Sequence, residues 1–167
     1  YLYNSDDIMS LLLTVDAIRR VNPIININLT MPYFPYARQD RICNKGEAFS
    51  VKVMVDLINS LQCNSVIIYD PHSDITPSLL NNCQVITSAK IITTSPLKSF
   101  IDDNLLTLVS PDAGAENKTK EIVKQLRKKE IINAFKTRDT KTGKITSCTI
   151  NGNVKDKNII IVDDICD

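Results

Sequence analysis

Short apolar runs alternate along this chain with longer segments that show helical periodicity. The runs that predict strands lie at residues 24–29, 65–69, 85–86, 105–109, 131–135, 145–150 and 158–162. The segments that predict helices lie at residues 5–20, 47–61, 96–102 and 115–128, and Ser5 and Asp6 are the predicted caps of the first. Strands that alternate with helices of about 10–15 residues form βαβ units around a parallel sheet. The sequence therefore predicts an α/β fold with mainly parallel sheets flanked by helices.

The size of the chain and the residues at its ends limit its possible domain organisation. Its 167 residues suffice for one complete domain or two incomplete ones. The chain begins at Tyr1 rather than at a methionine, and it stops in an acidic run directly after a predicted strand. We therefore expect a fragment, with the seam between its two parts near residues 87–94.

The composition argues against several classes of protein. The net charge is only +1, so no overall field attracts nucleic acid or a membrane surface, and no apolar run approaches the ~20 residues that span a bilayer. The five cysteines are odd in number and never spaced as C-x-x-C, which argues against a disulfide framework and a zinc knuckle. The Walker A and G-x-G-x-x-G patterns are absent. We expect a protein of the reducing cytoplasm that binds neither nucleic acid nor membranes.

The most informative motif lies at residues 31–41, directly after a predicted strand. It contains three aromatic residues, two prolines and two arginines. Proline stiffens a loop, while arginine pairs with phosphate and stacks on flat rings. The motif therefore predicts a binding loop for a nucleotide, whose base is planar and whose tail is a polyphosphate.

Polar side chains follow the predicted strands at their carboxyl ends, where open α/β sheets bind their ligands. In chain order they are Arg38 and Gln39, Asp70 and His72, Asp112, Lys136 and Arg138, and Asp163, Asp164 and Asp167. A carboxylate near an imidazole can bind Mg²⁺ or contact phosphate, and Lys and Arg can neutralise charge in phosphoryl transfer. Simpler explanations stay open: His72 as an ordinary hydrogen-bonded histidine, Asp112 as a helix cap, and the other charges as solvated loops.

Taken in order, these motifs resemble those of the ribose-phosphate diphosphokinases, also called phosphoribosyl pyrophosphate synthetases. The matching segments are collinear and span nearly the whole chain: residues 32–41, 46–50, 70–73, 109–114, 136–138 and 162–167. The resemblance implies tandem phosphoribosyltransferase-like (type I) domains, both truncated. Residues 1–90 would be the C-terminal part of the first domain, and residues 91–167 the N-terminal part of the second.

The resemblance also implies an activity and roles for the motif residues. The reaction is Mg²⁺-dependent transfer of diphosphate from ATP to the anomeric hydroxyl of ribose 5-phosphate, which gives phosphoribosyl pyrophosphate and AMP. The family's members assemble as homo-oligomers, from dimers to hexamers. The implied roles are ATP binding by Arg38, Gln39 and His72; catalysis by Lys136 and Arg138; ribose-phosphate binding by Asp163, Asp164 and Asp167; and metal binding by His72, Asp112 and Asp70.

Departures from the family pattern leave the acceptor open. Pro71 stands for the usual leucine, Ala115 for the usual second glycine and Thr137 for the middle arginine. Such divergence is similar to that of bacteriophage members, which act in the host cytoplasm. A larger acceptor that ends in ribose 5-phosphate, such as ADP-ribose, is one alternative. A phosphoribosyltransferase, against which the nucleotide-loop motif argues, and a non-catalytic regulatory homologue are others. We expect the chain as given to be inactive alone.

Overall fold

The computed structural model describes residues 2, 4–96, 98–99, 106–126, 131–138 and 145–164. The chain divides into two compact units, Tyr1–Thr87 and Ser88–Asp167. Each unit has its own sheet and its own apolar core. No helix among the described residues has the length and apolar character needed to cross a bilayer. Two separate hydrophobic cores thus stabilise the chain, one in each unit.

The first unit is a parallel sheet of three strands packed against helices. Its elements are α1 (Ser5–Val21), β1 (Asn28–Met31), α2 (Ser50–Ser60), β2 (Ser65–Tyr69), α3 (Ile75–Leu79) and β3 (Cys83–Ile86). The strands lie in the order β1-β2-β3, with Leu29 opposite Val66 and Ile68 opposite Val85. Because all three strands run in one direction, the loops that follow them leave from the same edge of the sheet.

The core of the first unit is built around α2 and β2. Val51, Met54, Val55 and Ile58 of α2 are almost completely buried, as their helical spacing predicts. They belong to one cluster with the inward-facing residues of β2. Burial of each large apolar side chain contributes about 1.5–3 kcal/mol to stability. This cluster therefore provides a firm base for the loops that follow β1 and β2.

The second unit combines parallel and antiparallel pairing. Its elements are α4 (Ser88–Thr94), β4 (Leu106–Ser110), α5 (Glu116–Gln125), β5 (Ile131–Arg138), β6 (Ile145–Asn151) and β7 (Asn158–Ile161). The strand order is β6-β5-β4-β7, in which β4 is parallel to β5 and β7 whereas β6 is antiparallel to β5. The core consists of Ala89, Ile92, Leu108, Ile122 and Leu126. The predicted α/β class with mainly parallel sheets flanked by helices is confirmed.

The strand predicted at residues 24–29 begins only at Asn28. Asn22 forms a turn before it, in which its carbonyl accepts the N–H of Ile25 and its side-chain oxygen accepts the N–H of Ile24, each at 3.2 Å. Ile24 is consequently 90% exposed. The apolar run thus predicted the strand correctly but placed its first residue too early.

Other elements differ from the predictions in extent. The sequence pattern predicts neither α3 nor α4, whose five and seven residues are too few to show a clear helical period. β5 extends to Arg138, so Lys136 and Arg138 lie on a strand rather than in the predicted loop after it. All of β6 is exposed, and so are Ile159 and Ile161 of β7. The sequence had instead predicted a sheet flanked by helices. Parts of four predicted segments lie outside the described residues: 97 and 100–102 in the helix predicted at 96–102, 105 in the strand predicted at 105–109, 127–128 in the helix predicted at 115–128, and 139–144 in the loop expected after the strand at 131–135.

Candidate active site

Buried side chains shape the loop that follows β1. Phe34, Pro35 and Ala37 are buried, whereas Tyr33 and Tyr36 are exposed over almost half of their surface. Tyr36 has a φ of +61°, a left-handed conformation that costs a residue other than glycine about 1–2 kcal/mol. The buried neighbours hold the chain in this turn, and the two tyrosine rings stay accessible.

Arg38 and Gln39 line two cavities of the first unit. One cavity, of about 350 Å³, is also lined by Tyr33, Pro35 and Tyr36. The other, of about 420 Å³, is also lined by Arg41, Cys43, Glu47, Ala48 and Ser50. Aromatic rings suit a planar base, and guanidinium groups suit phosphate. The two cavities thus offer the two kinds of surface that a nucleotide needs.

Glu47 closes the same loop before α2 begins. Its carboxylate accepts the backbone N–H groups of Cys43 at 2.8 Å and Asn44 at 3.0 Å, together with the side-chain amide of Asn44. These hydrogen bonds, that of the Asn44 amide most strongly, lower the pKa of Glu47. Because the carboxylate stabilises this turn, α2 begins at Ser50 rather than at the predicted residue 47.

Asp40 lies in the loop after β1 and is almost completely buried. It is only 6% exposed, and the Arg41 Nε lies 3.1 Å from its Oδ1. Burial alone would raise the pKa of Asp40, but Ser73, Arg41 and the charge of His72 together outweigh burial and lower it. Asp70 lies in the loop after β2, with a left-handed φ of +39°. Residues of the loop after β2 thus influence a carboxylate of the loop after β1, and both loops carry predicted nucleotide-binding residues.

In the second unit, Asp112 and Lys136 form an ion pair. Asp112 follows β4 and Lys136 lies on β5, so the parallel pairing of these two strands brings the side chains together. The Oδ1 of Asp112 also accepts the N–H of Ala115 at 3.0 Å. The hydrogen bond from Lys136 lowers the pKa of Asp112 more than burial raises it. Asp112 therefore caps the turn before α5 and binds a cationic side chain as well.

Asp163 and Asp164 follow β7, which pairs with the opposite side of β4. The N–H of Asp164 donates to the Oδ1 of Asp163 at 2.9 Å. Burial of the carboxyl group and the neighbouring acids Asp164 and Asp112 raise the pKa of Asp163. Three carboxylates thus stand at the ends of two adjacent strands, with Lys136 on the third. A cation or a ligand with hydroxyl groups would relieve the repulsion among them.

The structure places the predicted site residues in two groups. Arg38, Gln39, Asp70 and His72 belong to the first unit, and Asp112, Lys136, Arg138, Asp163 and Asp164 to the second, while Asp167 lies outside the described residues. Within the part of the chain that the structure describes, no three His, Cys, Asp or Glu side chains form a ligand set for one metal ion. The carboxylates of Asp70 and Asp112 are ligands of the kind that Mg²⁺ prefers. The predicted metal set of His72, Asp70 and Asp112 stays a prediction.

Sequence analysis assigned no role to Asp40, Glu47 or Ser73. Their contacts depend on how the loops fold, which residue type alone does not predict. The one available signal was an acid in a proline-stiffened loop between Arg38 and Arg41. A carboxylate at such a position is more often a structural partner of its neighbours than an isolated charge.

Comparison with known families relates this geometry to one group of proteins. The family model described as the N-terminal domain of ribose phosphate pyrophosphokinase matches residues 3–61. The ribose-phosphate pyrophosphokinase of Cereibacter sphaeroides is 34% identical over 170 aligned positions, which cover 98% of this chain and 48% of that protein. The enzyme of the same name from Oceanobacillus iheyensis is 31% identical, with 96% and 49% covered.

A solved structure agrees with the sequence comparisons. The crystal structure of phosphoribosylpyrophosphate synthetase from Mycobacterium smegmatis superposes with a TM-score of 0.75 at 25% identity, covering 93% of this chain and 49% of that one. The chain spans about half the length of the curated relatives that it matches. With its α/β units, its mainly parallel sheets and its collinear motifs, the chain is similar over nearly its whole length to ribose-phosphate pyrophosphokinases.

Proposed function

We propose that the protein transfers the β,γ-diphosphoryl group of ATP to the anomeric hydroxyl of ribose 5-phosphate, giving phosphoribosyl pyrophosphate and AMP. The observation that carries the proposal is the cluster of Lys136, Asp112, Asp163 and Asp164 at three adjacent parallel strands. The chain around this cluster is similar, over nearly its whole length, to ribose-phosphate pyrophosphokinases. Acids and a lysine side by side suit a substrate that carries both hydroxyl groups and phosphates.

The first unit would bind the nucleotide. Tyr33 and Tyr36 offer ring faces to the base from one of the two cavities, and Arg38 and Gln39 reach both cavities. A guanidinium group can pair with two phosphate oxygens at once. In this proposal Arg38, Gln39 and His72 contact ATP.

The second unit would hold the acceptor and stabilise the transferring group. The anomeric oxygen attacks the β-phosphorus, a new O–P bond forms, and the bond between that phosphorus and the α,β-bridging oxygen breaks, so that AMP leaves with the bridging oxygen. Lys136 and Arg138 would stabilise the charge that builds up on the phosphoryl oxygens. Asp163, Asp164 and Asp167 would accept hydrogen bonds from the ribose hydroxyls.

Mg²⁺ is the implied cofactor, and the donors present are chemically suited to it. In this proposal His72 and Asp70 of the first unit and Asp112 of the second unit are the Mg²⁺ donors, and a bound ion would supply charge neutralisation at the polyphosphate. Asp112 would then bind both the ion and Lys136, with which it is already paired. We also propose that the two units are parts of tandem phosphoribosyltransferase-like domains in a homo-oligomer.

The test is an assay of AMP formation from ATP by the full-length protein with MgCl₂, with product separation by chromatography. Ribose 5-phosphate, ADP-ribose and no acceptor are compared in parallel. We expect AMP and phosphoribosyl pyrophosphate in equal amounts, and only when ribose 5-phosphate is present. Formation of ADP instead of AMP, or AMP formation that needs no acceptor, would reject the proposal. Turnover with ADP-ribose alone would keep the chemistry and replace the acceptor.

A further inference from the structure

Two fully buried hydroxyl side chains lie at the turn between β4 and α5. They belong to Ser110, the last residue of β4, and to Thr119 on α5. The proposed reaction assigns no task to either of them. Removal of a hydroxyl group from water costs free energy unless the group forms a hydrogen bond inside the protein. The partners of these two hydroxyls therefore indicate what their burial achieves.

Ser110 holds the backbone of Asp112. Its hydroxyl donates to the carbonyl oxygen of Asp112 at 2.9 Å, across a turn that also contains Pro111. This bond connects the end of β4 to the residue whose carboxylate forms the ion pair with Lys136. Because β4 lies inside the sheet, between β5 and β7, its last residue is a fixed point from which Asp112 can be oriented.

The carboxylate of Asp112 is held from the other end of the same turn. Its Oδ1 accepts the N–H of Ala115 at 3.0 Å. The carbonyl of Ala115 in turn accepts both the N–H and the hydroxyl of Thr119, each at 2.9 Å. Gly114 leaves room for this arrangement, since a Cβ there would lie only 3.2 Å from Asp112 Oδ1. Asp112 is thus fixed by its carbonyl and by its carboxylate while it pairs with Lys136.

We propose that Ser110 is a positioning residue, which sets the placement of the Asp112 carboxylate, and through it that of Lys136, by its hydrogen bond to the Asp112 carbonyl. The proposal rests on the proposed function, in which Lys136 stabilises the transferring group. Ser110 would act only through Asp112, because its side chain is fully buried and its hydroxyl proton is donated to that carbonyl. Groups that are held in place before the substrate arrives need little rearrangement when the reaction occurs. The effect of Ser110 should therefore appear in kcat rather than in the KM for ATP.

The experiment compares Ser110→Ala, Asp112→Ala and the double variant in the full-length protein. Two quantities are measured: the kinetic constants for ATP, and the hydrogen-exchange rate of the Ala115 amide without substrates or Mg²⁺. That rate reports whether Asp112 Oδ1 still accepts the Ala115 N–H. We expect Ser110→Ala to lower kcat about tenfold, to leave the KM for ATP within about twofold, and to speed the exchange about tenfold. In the Asp112→Ala background, loss of the Ser110 hydroxyl should lower kcat no further, because the carboxylate through which it acts is already gone.

A matched control lies in the first turns of α5. Thr119→Val removes a hydroxyl that is also fully buried and also donates to a backbone carbonyl. That carbonyl, of Ala115, keeps the N–H of Thr119 as a donor. Both kcat and the exchange rate of the Ala115 amide should therefore stay within about twofold of the unmodified protein, because no buried group loses its last partner.

Additive losses of kcat in the double variant, an unchanged exchange rate in Ser110→Ala, or an equal loss of kcat in Thr119→Val would overturn the proposal. Should Ser110→Ala fail to fold, Ser110→Cys decides, because a thiol nearly fills the space of the hydroxyl and is only a weak donor. If the unmodified protein makes no AMP, the proposed function fails, and the exchange rate measured without substrates still decides whether Ser110 positions Asp112.

Discussion

Lys136 lies where negative charge would accumulate in the proposed reaction. Among the described residues it forms an ion pair with a single carboxylate, that of Asp112. A cation that is already oriented by a neighbouring acid needs little reorganisation when charge develops on the phosphoryl oxygens. The lysine is therefore expected to act on the rate more than on ground-state binding.

We predict that Lys136→Ala lowers kcat by about 10²-fold or more, the scale of losing one transition-state donor, while the KM for ATP changes much less. Lys120→Ala is the matched control, because it removes the same charge from α5, where Lys120 pairs only with Glu116 in the recorded ion pairs. Its kcat should stay within about twofold of the unmodified protein. Steady-state AMP formation measures both, and unchanged turnover in Lys136→Ala would reject the assignment.

Asp163 is a residue whose charge works against folding at neutral pH. Burial and the neighbouring acids raise the pKa of its carboxyl group in the folded protein. A raised folded pKa favours the native state below the pKa of the unfolded chain, and this advantage is lost as the pH rises through the folded value. At neutral pH the ionised carboxylate therefore costs stability that a ligand would restore.

We predict that Asp163→Asn raises the free energy of unfolding at pH 7 by roughly a few tenths of a kcal/mol, a small gain because the carboxyl group is only partly buried and solvent screens its charge. The amide oxygen can still accept the N–H of Asp164. The gain should shrink from pH 7 to pH 4, because the carboxyl of the unmodified protein takes up its proton more readily as the pH falls toward its raised pKa. Urea unfolding at the two pH values measures this, and an equal gain at both would contradict the electrostatic cause. Activity should fall in the same variant.

At the scale of elements, α1 begins with a capping box formed by Asn4 and Asp7, whereas the sequence analysis predicted Ser5 and Asp6 as the caps. Asn4, rather than Ser5 or Asp6, is the N-cap: its Oδ1 accepts the N–H of Asp7 at 2.9 Å, and its own N–H donates to Asp7 Oδ2 at 3.2 Å. The backbone N–H groups of Asn4 and Asp7, which have no partner within the helix, are thus each satisfied by the other residue's side chain. The position of the cap, one residue earlier, depends on backbone geometry that residue type alone does not reveal.

We predict that Asn4→Ala destabilises the protein by about 1 kcal/mol, the usual cost of losing a side-chain cap. Ser5→Ala should change the free energy of unfolding by no more than a few tenths of a kcal/mol, because Ser5 is exposed and already helical. Thermal and urea unfolding of the two variants provide the measurement. A larger loss in Ser5→Ala than in Asn4→Ala would restore the cap that the sequence predicted.

The same elements show how far sequence patterns reach. The period of Val51, Met54, Val55 and Ile58 predicted the buried face of α2 correctly, because helical spacing records which side of a helix meets the core. The strand at Ser65–Tyr69 was predicted at its observed bounds. Sequence patterns did not predict structural features that depend on contacts between distant parts of the chain. One example is β5, whose antiparallel pairing with β6 extends the strand to Arg138, into the part of the chain that was predicted as a loop.

At the scale of the whole molecule, the predicted site residues are shared between two units that each have their own core. Family motifs identified both groups from the sequence, since they recur in collinear order. The pairing of Asp112 with Lys136 was not predicted, although both residues were, because it needs the register of β4 against β5. The net charge of +1 gives no general attraction for polyphosphates. In the proposed function, ATP would therefore be bound by local side chains rather than attracted by the overall field.

In the proposed function, the nucleotide-binding residues lie in the first unit and Lys136 lies in the second. From this we predict how MgATP should stabilise the full-length protein. A ligand at 100 times its Kd that binds only the native state adds about 2.7 kcal/mol, so the Tm should rise by several degrees. Arg38→Ala should lose most of that rise, because Arg38 lines both cavities of the nucleotide loop, whereas Lys136→Ala should keep it. Arg20→Ala is the matched control, since Arg20 is exposed on α1 and pairs with Asp16. An equal rise in Tm in the Arg38 and Arg20 variants would show that the nucleotide binds elsewhere. Loss of the Tm rise in Lys136→Ala would show that Lys136 binds the nucleotide in the ground state rather than only in the transition state.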